Sequence, residues 1–198
     1  MTAEDPTVLV VEDNEQLADM YAEWLAETTT VVTAYSGREA LALLTDRIDI
    51  VLLDRLMPGL SGDEVLGRIR ERGLDCRVAL VTAVEPDVDI VEMEFDDYLT
   101  KPVRKRDLYH LVEALLTRSA YTEPVRKERA LAEKRALLEE GLSEDELRAS
   151  AEYDDLLGAL DSLREGPRDS APRWRAAERG ATVFRRLSHH LRREEGDE

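Results

Sequence analysis

The sequence predicts an α/β fold, a five-stranded parallel sheet with helices on both faces, followed by an all-α C-terminal region. Over roughly the first 118 residues, short apolar runs alternate with segments of helical periodicity. This alternation is typical of parallel strands joined by crossover helices. Because such crossovers are right-handed, the helices cover both faces of an open sheet. Beyond residue 118 the apolar residues follow helical spacing.

Five segments are predicted to be strands. They cover residues 8–11, 29–34, 50–53, 78–81 and 97–100. The first, third and fourth are unbroken apolar runs, as expected for strands buried on both faces of a parallel sheet. The third strand ends directly before Asp54, so a charge follows the most apolar segment of the predicted sheet.

Five segments with helical spacing follow these strands. They cover residues 15–28, 36–44, 63–71, 85–94 and 105–118. In the second, Ser36 and Glu39 have the spacing of a capping box. The fourth is short and acidic and begins near Pro86, which predicts a marginal helix.

Composition restricts the classes of function. The formal net charge is −17, from 27 basic and 44 acidic residues, which disfavours a general nucleic-acid or anionic-membrane surface. With only four lysines, this acidity resembles that of proteins from a high-salt cytoplasm. The single cysteine, Cys76, excludes an intrachain disulfide and a multi-cysteine metal site. No signal peptide or membrane-spanning run is evident, so a cytoplasmic protein without membrane insertion is predicted.

Polar residues follow four of the five predicted strands. Glu12 and Asp13 follow the first strand, and Asp54 follows the third. Thr82 follows the fourth strand, and Lys101 follows the fifth. Ligands of open α/β sheets bind beyond these strand ends. Clustered carboxylates repel one another unless a cation compensates them, and Mg²⁺ prefers such oxygen ligands. The set therefore predicts a magnesium site suited to phosphoryl transfer onto a carboxylate.

Each of these residues alone has a more ordinary explanation. An aspartate or threonine after a strand commonly caps a helix or turn, and a lysine is commonly a solvated charge. Their joint occurrence in this order, one polar group after each of four strands, is much harder to explain in that way. The combination favours a functional site.

Four motifs resemble those of the receiver domains of two-component response regulators. They are VVEDN at residues 10–14, LLDRLMPG at 52–59, VTA at 81–83 and DYLTKP at 97–102. The resemblance covers residues 6–118 and implies the flavodoxin-like receiver fold. It implies that Asp54 is the phosphoacceptor, and that Glu12, Asp13, Asp54 and the backbone carbonyl of Leu56 bind Mg²⁺.

The resemblance also implies roles around the phosphoryl group. Thr82 is expected to take a phosphoryl oxygen and Lys101 to pair with the phosphoryl group. Tyr98 is the expected aromatic switch, which turns inward as Thr82 moves. Pro102 and Pro58 are expected to be cis or turn-setting prolines.

The implied partner is a sensor histidine kinase that donates the phosphoryl group. The signal is expected to leave through the face of the fourth helix, fifth strand and fifth helix, which would bind a second copy or a protein partner. Such a protein takes part in phosphotransfer and self-dephosphorylation but is not an enzyme. A phosphohydrolase of the haloacid dehalogenase type is disfavoured because Leu56 stands where that family repeats an aspartate.

Two features depart from the receiver pattern. The interval between Thr82 and Lys101 is short and contains an acidic stretch at residues 92–95. In addition, Arg55 replaces the commoner apolar residue after the acceptor. It is interpreted either as a solvated charge at the rim or as an aid to docking of a phosphodonor.

Residues 119–165 are predicted to form a helical hairpin. Residues 123–140 are rich in helix formers and end at Gly141, while Ser143 and Glu146 form a capping box that opens a second helix. This segment resembles the HalX domain that follows receiver domains in haloarchaeal regulators. The resemblance supplies a family but no molecular mechanism.

Residues 171–195 have the pattern of an amphipathic, arginine-rich helix. Structural packing, partner binding, and nucleic-acid or membrane binding all remain open for it. We expect a response regulator that switches its helical C-terminal output, with regulation of transcription as one outcome. The alternative is a receiver-containing adaptor that binds protein and not DNA, since the C-terminal segment shows no helix-turn-helix with a basic recognition helix.

Overall fold

The computed structural model describes residues 5–118 and 123–165. Five parallel strands form one sheet in the order β2-β1-β3-β4-β5. The predicted fold class is therefore confirmed. The strands are β1 Thr7–Val11, β2 Thr30–Ala34, β3 Ile50–Leu53, β4 Arg77–Thr82 and β5 Asp97–Thr100.

Helices lie on both faces of this sheet, and further helices follow it. They are α1 Glu15–Leu25, α2 Gly37–Leu43, α3 Gly62–Glu71, the 3-10 turn η1 Val88–Val91, α4 Lys105–Arg118, α5 Glu123–Gly141, α6 Glu144–Ala149 and α7 Ala151–Glu165. Within the two described ranges, no helix combines the length and the apolarity needed to cross a bilayer.

The central strand β3 contributes to an apolar layer on each face of the sheet. Ile50 and Leu52 face the layer formed with α1 and α4, whereas Val51 and Leu53 face the layer formed with α2 and α3. All four side chains are at most 2% exposed. The strand is thus buried on both faces, as its unbroken apolar sequence predicts.

The capping box predicted at Ser36 is only half formed. The Ser36 side chain accepts a hydrogen bond from the Glu39 backbone N–H. The Glu39 carboxylate, however, accepts from the backbone N–H of Tyr35 instead of that of Ser36. A complete capping box occurs at Ser61, where α3 begins.

The helix predicted for residues 85–94 is wrong: only the 3-10 turn η1 forms there. Pro86 cannot donate a backbone hydrogen bond, and the remaining stretch is too short and acidic to offset the cost of starting a helix. The segment is fixed instead by burial of Ile90, which is 0% exposed, and by contacts of η1 with α5 and α7.

The second arm of the predicted C-terminal hairpin is divided into α6 and α7. Ser150 interrupts it with an extended backbone (φ −92°, ψ 119°), and its Oγ accepts from the Tyr153 N–H at 3.0 Å. A local serine–backbone bond therefore competes with continuation of the helix. The complete capping box predicted at Ser143 and Glu146 is confirmed.

The C-terminal helices pack onto the sheet domain. Leu138 and Leu156 lie in the same apolar layer as Ile90, Phe95 and Tyr98. The layer that begins at the sheet thus continues into α5 and α7. The arginine-rich segment predicted at residues 171–195 lies outside the described residues.

Candidate functional site

Asp54 follows β3 directly and lies at the carboxyl edge of the sheet. Its backbone N–H donates to the Val11 carbonyl at 2.9 Å, which extends the pairing of β3 with β1. The residue is 6% exposed. Its Oδ1 accepts a hydrogen bond from the Leu56 N–H at 3.3 Å. The carboxylate is therefore held in a defined orientation by the turn that follows it.

Glu12, Asp13 and Asp54 converge at this edge. Each offers a carboxylate oxygen, and these atoms all lie within 4.8 Å of one another. Glu12 and Asp54 are buried, whereas Asp13 is exposed. Hard oxygen ligands with one side open to water match the requirements of Mg²⁺, which retains several waters. These three predicted metal ligands are thus brought together, and they fit the ion.

Lys101 neutralises part of this cluster even without a bound phosphoryl group. Its Nζ contacts Glu12 Oε2 at 2.6 Å and Asp54 Oδ2 at 2.7 Å. Burial opposes its charge, but the hydrogen bonds to Asp54 and Glu12 prevail and raise the pKa of Lys101. Burial also raises the pKa of Glu12, despite the bond from Lys101. The pocket therefore holds one ammonium between two buried acids.

Thr82 and Tyr98 lie on the neighbouring strands and share one turn. Thr82 is 0% exposed, and its Oγ1 accepts from the Val84 N–H at 3.3 Å. The Tyr98 hydroxyl donates to the Val84 carbonyl at 2.6 Å. Tyr98 is 5% exposed, and burial raises its pKa. The aromatic side chain thus already points inward in this structure.

The interpretation of Arg55 as a solvated rim charge is wrong. The residue is 6% exposed and binds both carboxylate oxygens of Asp63, at 3.0 and 2.9 Å. It also reaches Asp89 in η1 at 2.6 Å. The hydrogen bonds that Arg55 donates to Asp63, together with the one that it donates to Asp89, raise the pKa of Arg55 despite its burial. Arg55 therefore ties η1 to α3 next to Asp54, a role for which its unusual residue type was the only sequence signal.

Local backbone geometry accounts for two further sequence features. The Lys101–Pro102 peptide bond is cis, as expected for Pro102, and Pro58 precedes Gly59 with a φ of +82°. At Gly62, an added Cβ would lie 2.1 Å from the Asp54 carbonyl oxygen. Only glycine permits α3 to begin this close to the end of β3. The Leu56 side chain is 68% exposed, so packing does not explain its position.

Known protein families match both parts of the chain. The model of the response regulator receiver domain matches residues 8–113, more than half of the chain, and that of the HalX domain matches residues 117–183. A Haloferax volcanii protein named "Putative transcriptional regulator" is 51% identical over 163 residues, which cover 82% of this chain and 28% of that protein. Its haloarchaeal source agrees with the acidic composition.

More distant relatives share the receiver portion. The Transcriptional regulatory protein CpxR of Escherichia coli K12 is 37% identical over 120 residues, 59% of this chain and 51% of CpxR. The chain thus spans about half or less of the length of these two relatives. The crystal structure of the Thermotoga maritima response regulator TrrA, in complex with Mg(2+)-BeF, is 32% identical with a TM-score of 0.50. It covers 56% of this chain and 98% of TrrA.

The sheet order, the clustered carboxylates and the matched families agree with one another. Receiver domains are phosphoacceptor signalling domains and not enzymes in the usual sense, and they work with histidine kinases. The chain belongs to the response regulators, as a receiver domain followed by a HalX domain.

Proposed function

We propose that Asp54 accepts a phosphoryl group from a sensor histidine kinase in the cytoplasm, and that this modification switches the C-terminal helices. The observation that carries the proposal is the position of the Asp54 carboxylate. It lies within 4.8 Å of ligand atoms of Glu12 and Asp13 and 2.7 Å from the Lys101 ammonium. These distances support a site in which Asp54 acts as the nucleophile, Glu12 and Asp13 bind the metal, and Lys101 supplies a cation.

The chemistry follows from these contacts. A carboxylate oxygen of Asp54 attacks the phosphorus of a phosphohistidine on the kinase. The bond from phosphorus to the imidazole nitrogen breaks, and the imidazole takes up a proton from water as it leaves. Glu12, Asp13, Asp54 and the Leu56 carbonyl would hold Mg²⁺, which would supply charge neutralisation for the phosphoryl oxygens. Lys101 exchanges its contact with Asp54 for one with the phosphoryl group, which brings nearly two negative charges.

The phosphoryl group then acts on the turn between β4 and β5. A bond from the Thr82 hydroxyl to a phosphoryl oxygen pulls on the turn in which Thr82 accepts from Val84. The same turn holds the Tyr98 hydroxyl, and Tyr98 packs edge-on against Phe95 with ring centroids 5.7 Å apart. The Lys134 ammonium of α5 lies 5.2 Å above the Phe95 ring. Movement at Thr82 is thereby passed to the HalX helices.

Metal dependence tests this function. Incubation of the full chain with acetyl phosphate and Mg²⁺ is expected to produce a retarded band on a phosphate-affinity gel, and removal of the metal with EDTA is expected to abolish it. The physical reason is that the single positive charge of Lys101 does not offset the charges of two buried carboxylates and an incoming phosphoryl group. No retarded band with Mg²⁺, or an equal band in EDTA, would refute the proposal.

Two outputs remain to be separated. The names of the Haloferax volcanii and Escherichia coli relatives support regulation of transcription. A protein-binding adaptor is favoured by the charge of α5–α7, which carry 13 acidic and seven basic residues. Part of the predicted partner face is covered because α5 and α7 contact η1, which leaves β5 and α4 for a second copy or a protein partner.

An electrophoretic mobility assay on genomic fragments discriminates the two outputs. We expect residues 5–165, phosphorylated or not, to leave DNA mobility unchanged, because an acidic surface repels phosphates. A retarded complex with this fragment would contradict the adaptor output for α5–α7. If only the full chain retards DNA, the eight arginines of residues 166–198 account for binding.

A further inference from the structure

A cavity of about 530 Å³ lies between the receiver and α5. Its walls come from the loop between α3 and β4, from the first residue of β4, from residues 94–96 before β5, and from α5. The residues contributed by the sheet and its loops lie just before, or at, the first residues of β4 and β5. The cavity is therefore at the amino edge of the sheet, opposite the carboxyl edge that carries Asp54. Its volume is within the usual range for small-molecule sites.

The cavity concentrates positive charge in a strongly acidic protein. Five basic and three acidic residues line it: Arg70, Arg77, Arg126, Lys127, Lys134, Asp75, Glu94 and Asp96. Two of these acids are paired with two of the bases, Asp75 with Arg126 at 3.0 Å and Asp96 with Arg70 at 2.9 Å. Arg77, Lys127 and Lys134 then stand against Glu94. In a chain with a net charge of −17, this local excess of bases favours an anionic ligand.

Arg77 provides an independent indication of a missing acceptor. The residue is 8% exposed, and within the described part of the chain its buried Nε has no hydrogen-bond partner. Its Nη1 is 3.6 Å from Asp75 and 3.9 Å from Asp96, too far for good hydrogen bonds. A buried donor without an acceptor destabilises the folded protein. Arg77 is therefore a cation in the cavity wall whose pairing is incomplete.

The remaining wall is apolar. Leu74, Phe95, Ala130 and Leu131 line it, so a bare inorganic ion would leave apolar surface uncovered. A ligand with an anionic group and an apolar or aromatic body would use both kinds of lining.

We propose that this cavity binds a small organic phosphate, with its phosphate on Arg77, Arg126 and Lys127 and its apolar body against Leu74, Phe95 and Leu131. Arginine binds phosphate through paired N–H groups, which suits the guanidinium groups present. The ligand bridges the receiver and α5, and it therefore stabilises the packing of the HalX helices on the receiver.

Isothermal titration calorimetry with AMP as the probe tests this site, on the full chain carrying Asp54→Asn and without divalent ions. AMP is expected to bind more tightly than either inorganic phosphate or adenosine, because each of these lacks one half of the interaction. Lys127→Glu, at an exposed position, is expected to weaken AMP binding at least about tenfold, a change equivalent to one charge-assisted contact. Lys105→Glu in α4, outside the cavity, is the matched control and should bind AMP normally.

Arg77→Gln gives a second test, with the melting temperature measured alongside to show that the variant is folded. It is expected to lose AMP binding while retaining the fold. The proposal is overturned if AMP does not bind or if Lys127→Glu and Arg77→Gln both bind AMP normally. It is also overturned if Lys101→Met removes the binding while its melting curve shows that it is folded, which would place the ligand at the acceptor site.

Discussion

Asp54→Asn is expected to abolish phosphorylation of the chain completely. The amide has the same shape as the carboxylate and still accepts from the Leu56 N–H, a bond of 3.3 Å in the wild type. It is, however, no nucleophile, and it removes one of the three acids that lie within 4.8 Å of one another. Phosphate-affinity electrophoresis after acetyl phosphate and Mg²⁺ should show one unshifted band, and hydroxylamine, which cleaves acyl phosphates, should release no phosphate.

Asp46→Asn provides the matched control, since Asp46 is an exposed acid on the loop before β3. It has the same change in charge and should be phosphorylated like the wild type. If Asp54→Asn shifts as strongly as the control, the acceptor lies elsewhere. In Asp54→Asn, hydrogen exchange in α5 should also be insensitive to acetyl phosphate, because the signal to the helices begins at Asp54.

Lys101→Met is expected to destabilise the protein by about 3 kcal/mol at neutral pH, the typical cost of removing one partner from a buried ion pair. Side chains of Glu12 and Asp54 are 4% and 8% exposed, so water cannot replace the lost ammonium. Urea unfolding measures the effect. The matched control is Lys105→Met, whose partner Glu27 is 3.4 Å away and half-exposed, and which should cost at most about 1 kcal/mol.

The pH dependence of Lys101→Met has a definite sign. Burial already raises the pKa of Glu12 in the wild type, and loss of Lys101 removes a hydrogen bond and a charge that lower it, so the pKa of Glu12 rises further. A folded-state pKa above the unfolded value means that the folded state binds more protons, so stability is greater at low pH and falls as pH rises through that pKa. The deficit of the variant should therefore shrink in acid. Mg²⁺ should also stabilise the variant more than the wild type; an equal deficit at all pH values would exclude charge as the cause.

The sequence was sufficient to predict the sheet and the convergence of Glu12, Asp13 and Asp54, because both depend on local patterns. An apolar run with a charge at its end specifies β3 and Asp54, and parallel pairing brings the ends of β1 and β3 together whatever the surroundings. The residues Glu12, Asp13 and Asp54 could thus be grouped before any coordinates were known. The same logic placed Thr82 and Lys101 near them, but it could not show that Lys101 already bridges two of the acids.

Local signals failed where a segment has little structure of its own. Residues 85–94 have helical spacing, but only η1 forms, because burial of Ile90 and the bond between Arg55 and Asp89 decide its conformation. Arg55 and Asp89 are 34 positions apart, so periodicity carries no information about their pairing. The break at Ser150 was also missed, since a capping serine is recognised only after the helix is seen to stop.

By itself, the sequence determined the receiver fold, the grouping of polar side chains at the carboxyl edge of the sheet, and the helical nature of residues 123–165. Only the tertiary structure decided where those helices pack, that Arg55 is buried, and that Arg77 and α5 enclose a basic cavity. The physical reason is the range of the interactions. Strand and helix patterns are set by neighbouring residues, whereas the burial of a charge depends on side chains that only the folded chain brings together.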